Sequence, residues 1–521
     1  MENKSFFKNN WDLILILILY SLLAVFSLNY YSYTGPDEIS YINIAHEYAI
    51  GEWGDAINGI WSPLYSWLMT PFFLFGFTPV YGVYVSKIVS LIIGFFTIIN
   101  IRRLANIFKM DKTVERALLL SLVPVILSFA LIFNNPDLLL VCILVIYLSV
   151  IFHPNYPNNY INGILCGIIG VLAYLSKSYA FAFFVTHFIL FNVIFYLKNS
   201  TDEKKKNIFK NLVLGLSIFF VISGVWAGTI SEKYGKLTIS TAGDYNHAMA
   251  SSEYPIQPVS YIGLFKPPTK DATSIWDDLS YIKMKQWSPF DSWSSFKYQL
   301  TILEGNILHT IQLIESFFPI TGIIIITLIL FIWRSKFQNA SKNKLIYLLV
   351  TMFIYAIGYC FIFVIWRYLW FTFILIMITG FYLVDSMYKS KMMTATLKNI
   401  LLIILILSFI IQPVHFGIIS SSDDNEAYNL SNTLKNDYEI NGNIASNFEW
   451  ENTLYISYYL NSKYYGVTKK TNNSADLQKE LDDNHIDYYL VWDTKEIPKL
   501  SNYKEITKDK IKGLKIYSKI Q

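Results

Sequence analysis

Residues 11–30 read WDLILILILYSLLAVFSLNY, and this stretch decides the fold class. Its length suits a helix crossing a hydrocarbon layer of about 30 Å, and similar apolar runs recur along the 521-residue chain. With 54% hydrophobic residues, 15% charged residues and a mean hydropathy of +0.38, the composition excludes a soluble protein. The sequence therefore predicts a mainly α polytopic membrane protein.

About eleven transmembrane helices account for the apolar runs. We predict these spans over residues 11–30, 80–100, 117–133, 138–152, 161–175, 179–197, 211–229, 315–333, 344–364, 368–386 and 400–417.

The distribution of charge predicts the orientation of the chain. Residues 31–61 carry five acidic residues and no lysine or arginine, whereas the next turn, at residues 102–116, carries five basic ones. Because basic loops stay on the cytoplasmic side of a cell membrane, we expect the N-terminus on the cytoplasmic side. With an odd number of spans, the C-terminus is then expected on the extracytoplasmic side.

Two units follow from this layout. Residues 1–419 form the transmembrane domain, with outer loops at 31–61 and 231–309. Residues 420–521 are predicted to form an extracytoplasmic α/β domain, with strands at 443–446, 463–467, 488–492 and 514–518. That domain contains no glycine-rich phosphate loop and no catalytic triad, so we expect it to support or select an acceptor.

Charge, cysteine and histidine usage exclude other classes. The net charge of +4 is spread over short loops, which argues against a nucleic-acid partner. Cys142, Cys166 and Cys360 all lie inside apolar runs and predict no disulfide framework. No histidine spacing matches a zinc or calcium signature, so the residues predict no particular metal site.

Asp37 and Glu38 lie just beyond the first span, in Gly35-Pro36-Asp37-Glu38. One interpretation is structural, since proline and acidic residues favour the first turn of a helix. The other is catalytic, because a carboxylate at the membrane surface can take the proton of an attacking hydroxyl. A departing lipid phosphate would then need only positive charge to stabilise it.

Two cations fall on the same outer side, where basic residues are less common. Lys177 lies midway along residues 161–197, a stretch too long for one crossing, so it is predicted at the outer turn of a hairpin. Arg367 begins the sequence RYLW and either binds a ligand or anchors the chain among interfacial aromatic rings. Asp137, after Asn134-Asn135-Pro136, is either a helix-start residue or part of the same site.

Taken together, these stretches resemble the GT-C superfamily of polyprenyl-phosphate-sugar-dependent glycosyltransferases, in particular the protein O-mannosyltransferase and aminoarabinose transferase group (glycosyltransferase family 39-like). The resemblance covers most of the membrane region. The similar stretches are GPDEISYINIAHEYAIGEW (35–53), WSPLYSWL (61–68), NNPDLLL (134–140), LAYLSKSYAFAFF (172–184), SGVWAGTISEKYGKLTIS (223–240) and RYLWFTFIL (367–375).

The resemblance implies an inverting transfer of a single sugar from a polyprenyl-monophosphate carrier to a lipid, glycan or protein acceptor outside the cell membrane. It implies Asp37 as the catalytic base, with Glu38 holding the acceptor or a divalent cation, which leaves a metal cofactor open. Lys177 and Arg367 would bind the lipid phosphate, and Tyr368 and Asp137 belong to the same predicted substrate site. The chain has Ser62-Pro63 where some relatives carry Lys-Pro.

Two other functions share this membrane location. A transporter or flippase for lipid-linked sugars would place ionisable groups near the bilayer midplane, and the spans here are mostly pure hydrocarbon. A polymerase or ligase of surface polysaccharide would differ mainly in its donor, which the sequence does not resolve.

Overall fold

A computed structural model describes residues 2–28, 35–254, 256–333, 339–420, 426–471, 473–492 and 499–520. The first residues of the predicted outer loop, 31–34, therefore lie outside the described residues, as does the end of the first predicted span.

Helices make up most of the described chain. They are α1 (Glu2–Ser27), α2 (Pro36–Ile50), α3 (Trp53–Ala56), α4 (Leu64–Phe73), α5 (Pro79–Ile107), α6 (Lys112–Ile132), α7 (Pro136–Ile151), α8 (Ile161–Ser176), α9 (Tyr179–Lys198), α10 (Asp202–Tyr234), α11 (Ala242–Met249), α12 (Trp293–Phe317), α13 (Thr321–Trp333), α14 (Asn339–Cys360), α15 (Trp370–Lys389), α16 (Ala395–Ser420), α17 (Glu426–Tyr438), α18 (Trp450–Tyr459) and α19 (Ser474–Asp483).

The protein is a polytopic helical membrane protein. Within the described ranges, eight helices are long and apolar enough to cross a membrane, or nine if the bent pair α12 and α13 counts as one span. The helices α7 and α8 are apolar but have only 16 residues each. The predicted count of eleven is reached only if these two short helices also cross.

The predicted span at residues 315–333 is not one continuous helix. The chain bends by 107° between α12 and α13, and α12 already begins at Trp293, within the predicted outer loop. Ser292 caps α12 by accepting a hydrogen bond from the Ser295 amide at 3.0 Å. Pro319 follows the end of α12 and has no amide hydrogen to continue it.

Glycines allow α8 and α10 to pack closely. A Cβ atom on Gly163 would lie 2.3 Å from the Asn211 carbonyl oxygen, and one on Gly167 would lie 2.5 Å from that of Gly215. The two backbones therefore approach as small-residue helix interfaces do in membranes. This packing fixes the position of the turn that follows α8.

The C-terminal unit is a small α/β domain. Its strands are β1 (Asn443–Ser446), β2 (Lys463–Val467), β3 (Tyr488–Trp492), β4 (Tyr503–Glu505) and β5 (Leu514–Lys519), in the sheet order β2-β1-β3-β5-β4. The strand β1 is parallel to β2 and β3, whereas β5 is antiparallel to β3 and β4. The predicted strands are all present, and β4 was not predicted.

The long loop between α10 and α12 joins this domain to the membrane region. It covers the outer edge of the sheet, since the Phe265 amide donates to the Tyr465 carbonyl at 2.7 Å and the Tyr464 amide donates to the Thr273 carbonyl at 2.8 Å. The Tyr458 hydroxyl donates to the Pro79 carbonyl at the start of α5, at 2.9 Å. The domain therefore rests on the end of the helical bundle at which α2 begins.

Candidate active site

A cavity of about 380 Å³ lies between the helical bundle and the long loop that joins α10 to α12. The start of α2, the start of α7, the turn between α8 and α9, and a 3₁₀ turn over Trp366–Leu369 each contribute one side of it. Among its lining residues are five of the six predicted site residues, which are Asp37, Asp137, Lys177, Arg367 and Tyr368. These residues are up to 331 positions apart in sequence, and folding brings them to one place.

Asp37 lies in the first turn of α2. The helix starts at Pro36 after Gly35, which makes no side-chain cap, so the helix start supports an acidic residue there. Arg367 Nη2 donates to Asp37 Oδ2, and Trp276 Nε1 donates to Asp37 Oδ1 at 3.0 Å. Both carboxylate oxygens are thus oriented by fixed donors, while the side chain keeps 15% of its surface exposed.

Arg367 lies between two carboxylates. Besides its ion pair with Asp37, its Nε is 4.0 Å from Asp137 Oδ2, and its guanidinium lies over the Phe133 ring at 5.6 Å from the centroid. Its side chain is 14% exposed. A guanidinium has five donor hydrogens, so Arg367 can hold both aspartates and still direct hydrogens into the cavity.

Lys177 occupies the turn between α8 and α9, as the length of that stretch predicts. Its Nζ donates to Asp137 Oδ1 and lies 3.8 Å from the centroid of the Tyr368 ring. Burial lowers the pKa of Lys177, and the charge of Asp137 opposes that shift. Asp137 is itself held at the start of α7, where Asn135 Oδ1 accepts its amide hydrogen at 3.1 Å.

The four charges form an alternating chain of two aspartates and two cations. Each aspartate contacts a cation, and Arg367 touches both aspartates. Their formal charges cancel, so the buried group is electrically balanced within itself. A phosphate entering the cavity would find two cations that carboxylates already hold in place.

Glu38 behaves differently from its neighbour. It is 2% exposed, does not line the cavity, and its Oε1 lies 3.5 Å from Asn135 Nδ2. Burial and the negative charge of Asp37 raise the pKa of Glu38 to about 7. Direct contact of Glu38 with an acceptor therefore stays a prediction, and this geometry gives it no exposed surface for that contact.

Trp276 lines the cavity and binds Asp37, and the sequence analysis did not predict it as a site residue. Trp276 lies in a tight turn of the long loop between α10 and α12. Ser274 caps this turn, and the Trp276 amide donates to Ser274 Oγ at 3.1 Å. Asp277 anchors the turn to α2 by accepting from Asn43 Nδ2 at 2.8 Å. A capping serine followed by a tryptophan and two acidic residues, SIWDD at 274–278, was the available signal.

The remaining walls include aromatic and amide side chains among aliphatic ones. Tyr41 and Trp61 stack edge to face with their ring centroids 5.4 Å apart, and Trp61 Nε1 donates to the Trp276 carbonyl at 3.2 Å. The Tyr245 hydroxyl donates to Gln257 Oε1 at 2.8 Å. Aromatic faces and amide groups are the surfaces to which sugar rings bind.

No three His, Cys, Asp or Glu side chains converge as a metal ligand set in the described ranges. Asp37 and Asp137 both line the cavity, but each is already paired with a cation. Among the described residues, the cavity therefore offers no preformed set of ligands for a divalent cation. His46, one of the outer histidines, stacks on Phe77 at 4.1 Å.

Comparisons with known proteins give a fold. No family model matches the sequence, and no curated protein matches it significantly. Among solved structures, ArnT from Cupriavidus metallidurans bound to undecaprenyl phosphate matches with a TM-score of 0.57 and 12% identity, over 98% of each chain. The chain has the GT-C fold.

A second similar structure supports the same fold. The oligosaccharyltransferase AglB from Archaeoglobus fulgidus, in complex with an inhibitory peptide and a dolichol-phosphate, matches with a TM-score of 0.53 and 10% identity. The match covers 93% of this chain and 70% of AglB. Similarity at this level of identity shows the fold, and the chemistry of this chain has to be argued from its own residues.

Proposed function

We propose that this chain is a membrane glycosyltransferase that moves one sugar from a polyprenyl-monophosphate carrier to an acceptor hydroxyl, with inversion at the anomeric carbon. The acceptor is a lipid, glycan or protein on the outer face of the cell membrane. The observation that carries the proposal is the convergence of Asp37, Asp137, Lys177 and Arg367 at one cavity beside the membrane. Similarity to structures bound to undecaprenyl phosphate and dolichol-phosphate supports a lipid-linked donor.

The proposed reaction is a single displacement. The acceptor oxygen forms a bond to the anomeric carbon while the bond from that carbon to the phosphate oxygen breaks. The bonding electrons leave with the phosphate, and Asp37 takes the hydroxyl proton. The products are the glycosylated acceptor and the polyprenyl monophosphate, so atoms and charge balance without a second acid.

Asp37 meets the geometric needs of the base. Arg367 and Trp276 each bind one of its oxygens, which fixes the plane of the carboxylate. Each carboxylate oxygen can accept more than one hydrogen bond, so an acceptor hydroxyl can still be received. The exposed 15% of its side chain gives that hydroxyl access.

Lys177 and Arg367 meet the needs of the leaving group. A phosphate monoester accumulates negative charge as it departs, and cations held in advance stabilise that charge without having to reorganise. Asp137 contacts both cations and so fixes the distance between them. Tyr368 supports the pair from below, with Lys177 lying over its ring at 3.8 Å.

The C-terminal domain contacts Trp276, which binds the proposed base. Trp450 at the start of α18 packs on Trp276 with ring centroids 4.8 Å apart, and Trp276 in turn binds Asp37. A contact from this domain therefore reaches the base through one residue. We propose that the domain selects the acceptor without taking part in the displacement.

Asp37→Asn tests the proposal. The substitution keeps the size of the side chain but removes its capacity to accept a proton, so sugar transfer should fall by about 10²- to 10⁴-fold. Donor binding should change little, because Lys177 and Arg367 remain. Asp55→Asn is the matched control, since Asp55 is an exposed carboxylate of the same outer region. Retained transfer in Asp37→Asn would reject the base assignment.

A further inference from the structure

A second cavity, of about 580 Å³, lies at the opposite end of the helical bundle. Its walls are the first part of α1, the last turns of α5 and the residues that follow α7. It contains Leu13, Ile99, Arg103, Lys109 and His153, and it shares no lining residue with the proposed active site.

Two of its cations have no carboxylate partner. Arg102, which also lines the cavity, is buried and paired with Asp12 and Glu115 at 3.3 and 2.9 Å. Arg103 and Lys109 are exposed, and neither forms an ion pair within the described residues. The cavity therefore carries positive charge that the protein itself does not neutralise.

The backbone holds Lys109 in an unfavourable conformation. Its φ is +58°, in the left-handed region, which costs a residue with a side chain about 1 kcal/mol and which glycine adopts freely. Two other lysines brace this turn, since Lys389 Nζ donates to the Lys109 carbonyl at 2.6 Å and Lys344 Nζ to the Phe108 carbonyl at 2.9 Å. These contacts hold the backbone of Lys109 in place beside the cavity.

His153 adds a hydrogen-bond donor. Its Nδ1 accepts the amide hydrogen of Asn155 at 3.2 Å, which places the ring proton on Nε2. His153 is exposed at the cavity, so this proton is available to an oxygen acceptor.

An apolar stripe continues from the cavity along α5. Ile92 and Phe96 lie two turns and one turn before Ile99 on the same helix face, and they are 46% and 51% exposed. The neighbouring helix α1 is held against this part of α5 by the Tyr20 hydroxyl, which donates to the Leu91 carbonyl at 2.9 Å. A ligand with an anionic head and a hydrocarbon tail matches both parts of the surface.

We infer that this cavity binds the phosphate head group of an anionic glycerophospholipid, with its acyl chain along α5. Arg103 and Lys109 supply the charge, His153 supplies a hydrogen bond, and Ile92 and Phe96 contact the chain. Basic pockets between membrane helices on the positively charged side bind anionic lipids in this manner. The site is independent of the proposed sugar transfer.

The test compares lipid binding in purified full-length protein, measured by native mass spectrometry and by thermal shift. The probes are phosphatidylglycerol, phosphatidylcholine and inorganic phosphate. The variant is Arg103→Gln with Lys109→Gly, which removes both charges and relieves the left-handed strain, so its folding is not at risk. The matched control is Lys204→Ala with Lys206→Ala, two exposed lysines in the first turns of α10, in the predicted cytoplasmic lysine cluster.

Each lost charge should weaken phosphatidylglycerol binding about 5-fold, and both together about 30-fold, while the control pair binds like the parent. Phosphatidylcholine should bind equally to all three proteins. Equal phosphatidylglycerol binding in the cavity variant would overturn the inference. A thermal shift by inorganic phosphate equal to that by phosphatidylglycerol would also overturn it, because the site would then recognise a free anion and not a lipid.

Discussion

The hydrogen bond between Trp276 and Asp37 gives the sharpest prediction about the chemistry. Trp276→Phe removes the indole donor that lies 3.0 Å from Asp37 Oδ1 and keeps an aromatic ring against Trp450 and Trp61. A hydrogen bond to a charged group is worth about 1.5–3 kcal/mol, and the partly exposed carboxylate can recover some of this from water. We therefore expect the lower end of that range.

That loss corresponds to roughly a 10-fold decrease in kcat, since 1.36 kcal/mol is one power of ten in rate. The KM for the donor should stay within about twofold, because among the described residues no hydrogen bond or ring contact joins the Trp276 side chain to Lys177 or Arg367, which would bind the donor phosphate. A merely structural role for the tryptophan would change both constants or neither.

The assay is transfer of labelled sugar from a polyprenyl-phosphate donor by protein in detergent, with the thermal midpoint measured in parallel. Trp61→Phe is the matched control, because Trp61 lines the same cavity and its indole donates to the Trp276 carbonyl at 3.2 Å and not to Asp37. An unchanged kcat in Trp276→Phe, or an equal loss in Trp61→Phe, would refute the positioning argument.

Three further predictions concern the donor, pH and packing. Lys177→Ala should weaken donor binding roughly 10- to 100-fold, as loss of a charge-assisted contact does, and unaltered affinity in a titration would contradict its phosphate role. Burial raises the pKa of Glu47 to about 8, so the folded state keeps its proton and stability falls as pH rises from about 4.5 to 8. Glu47→Gln should reduce the decrease of the thermal midpoint with rising pH, whereas Glu52→Gln, at an exposed residue, should not. An unchanged pH dependence in Glu47→Gln would exclude Glu47 as the cause of that decrease. Gly167→Ala should lower the thermal midpoint because the new Cβ would meet the α10 backbone. Gly224→Ala is the control and should not lower it, because nothing lies within 4 Å of a Cβ there. Equal midpoints in the two variants would argue against close packing of α8 on α10.

Several features of the fold follow from the sequence because short-range rules govern them. The length of residues 161–197 predicts the hairpin with Lys177 at its turn, and α8 ends at Ser176 while α9 begins at Tyr179. The alternation of apolar runs and turn residues after residue 426 likewise predicts four of the five strands. The missed strand β4 has only three residues, too few to show an alternating pattern.

Other features depend on contacts far apart in sequence. Trp276 lies 239 residues from Asp37, in a loop whose shape is set by the contact between Asn43 and Asp277. A local pattern can therefore indicate the turn but not its contact with Asp37. The pairing of the charged side chains also depends on contacts between distant parts of the sequence. Sequence placed Arg367 and Lys177 on one side of the membrane, but only the fold shows Asp137 between them. The start of α12 at Trp293 was not predicted because the polar residues in its first turns interrupt the apolar run that indicates a spanning helix.

The most direct test of the central claim is an experimental structure of this chain with a polyprenyl phosphate bound. We predict that the phosphate lies within about 3 Å of both Lys177 Nζ and the Arg367 guanidinium, which is the distance of charge-assisted hydrogen bonds. We also predict that Asp37 faces the same cavity. A phosphate bound elsewhere, for example beside Trp53, Trp67 and Trp226, with the four charged side chains still paired among themselves, would contradict it.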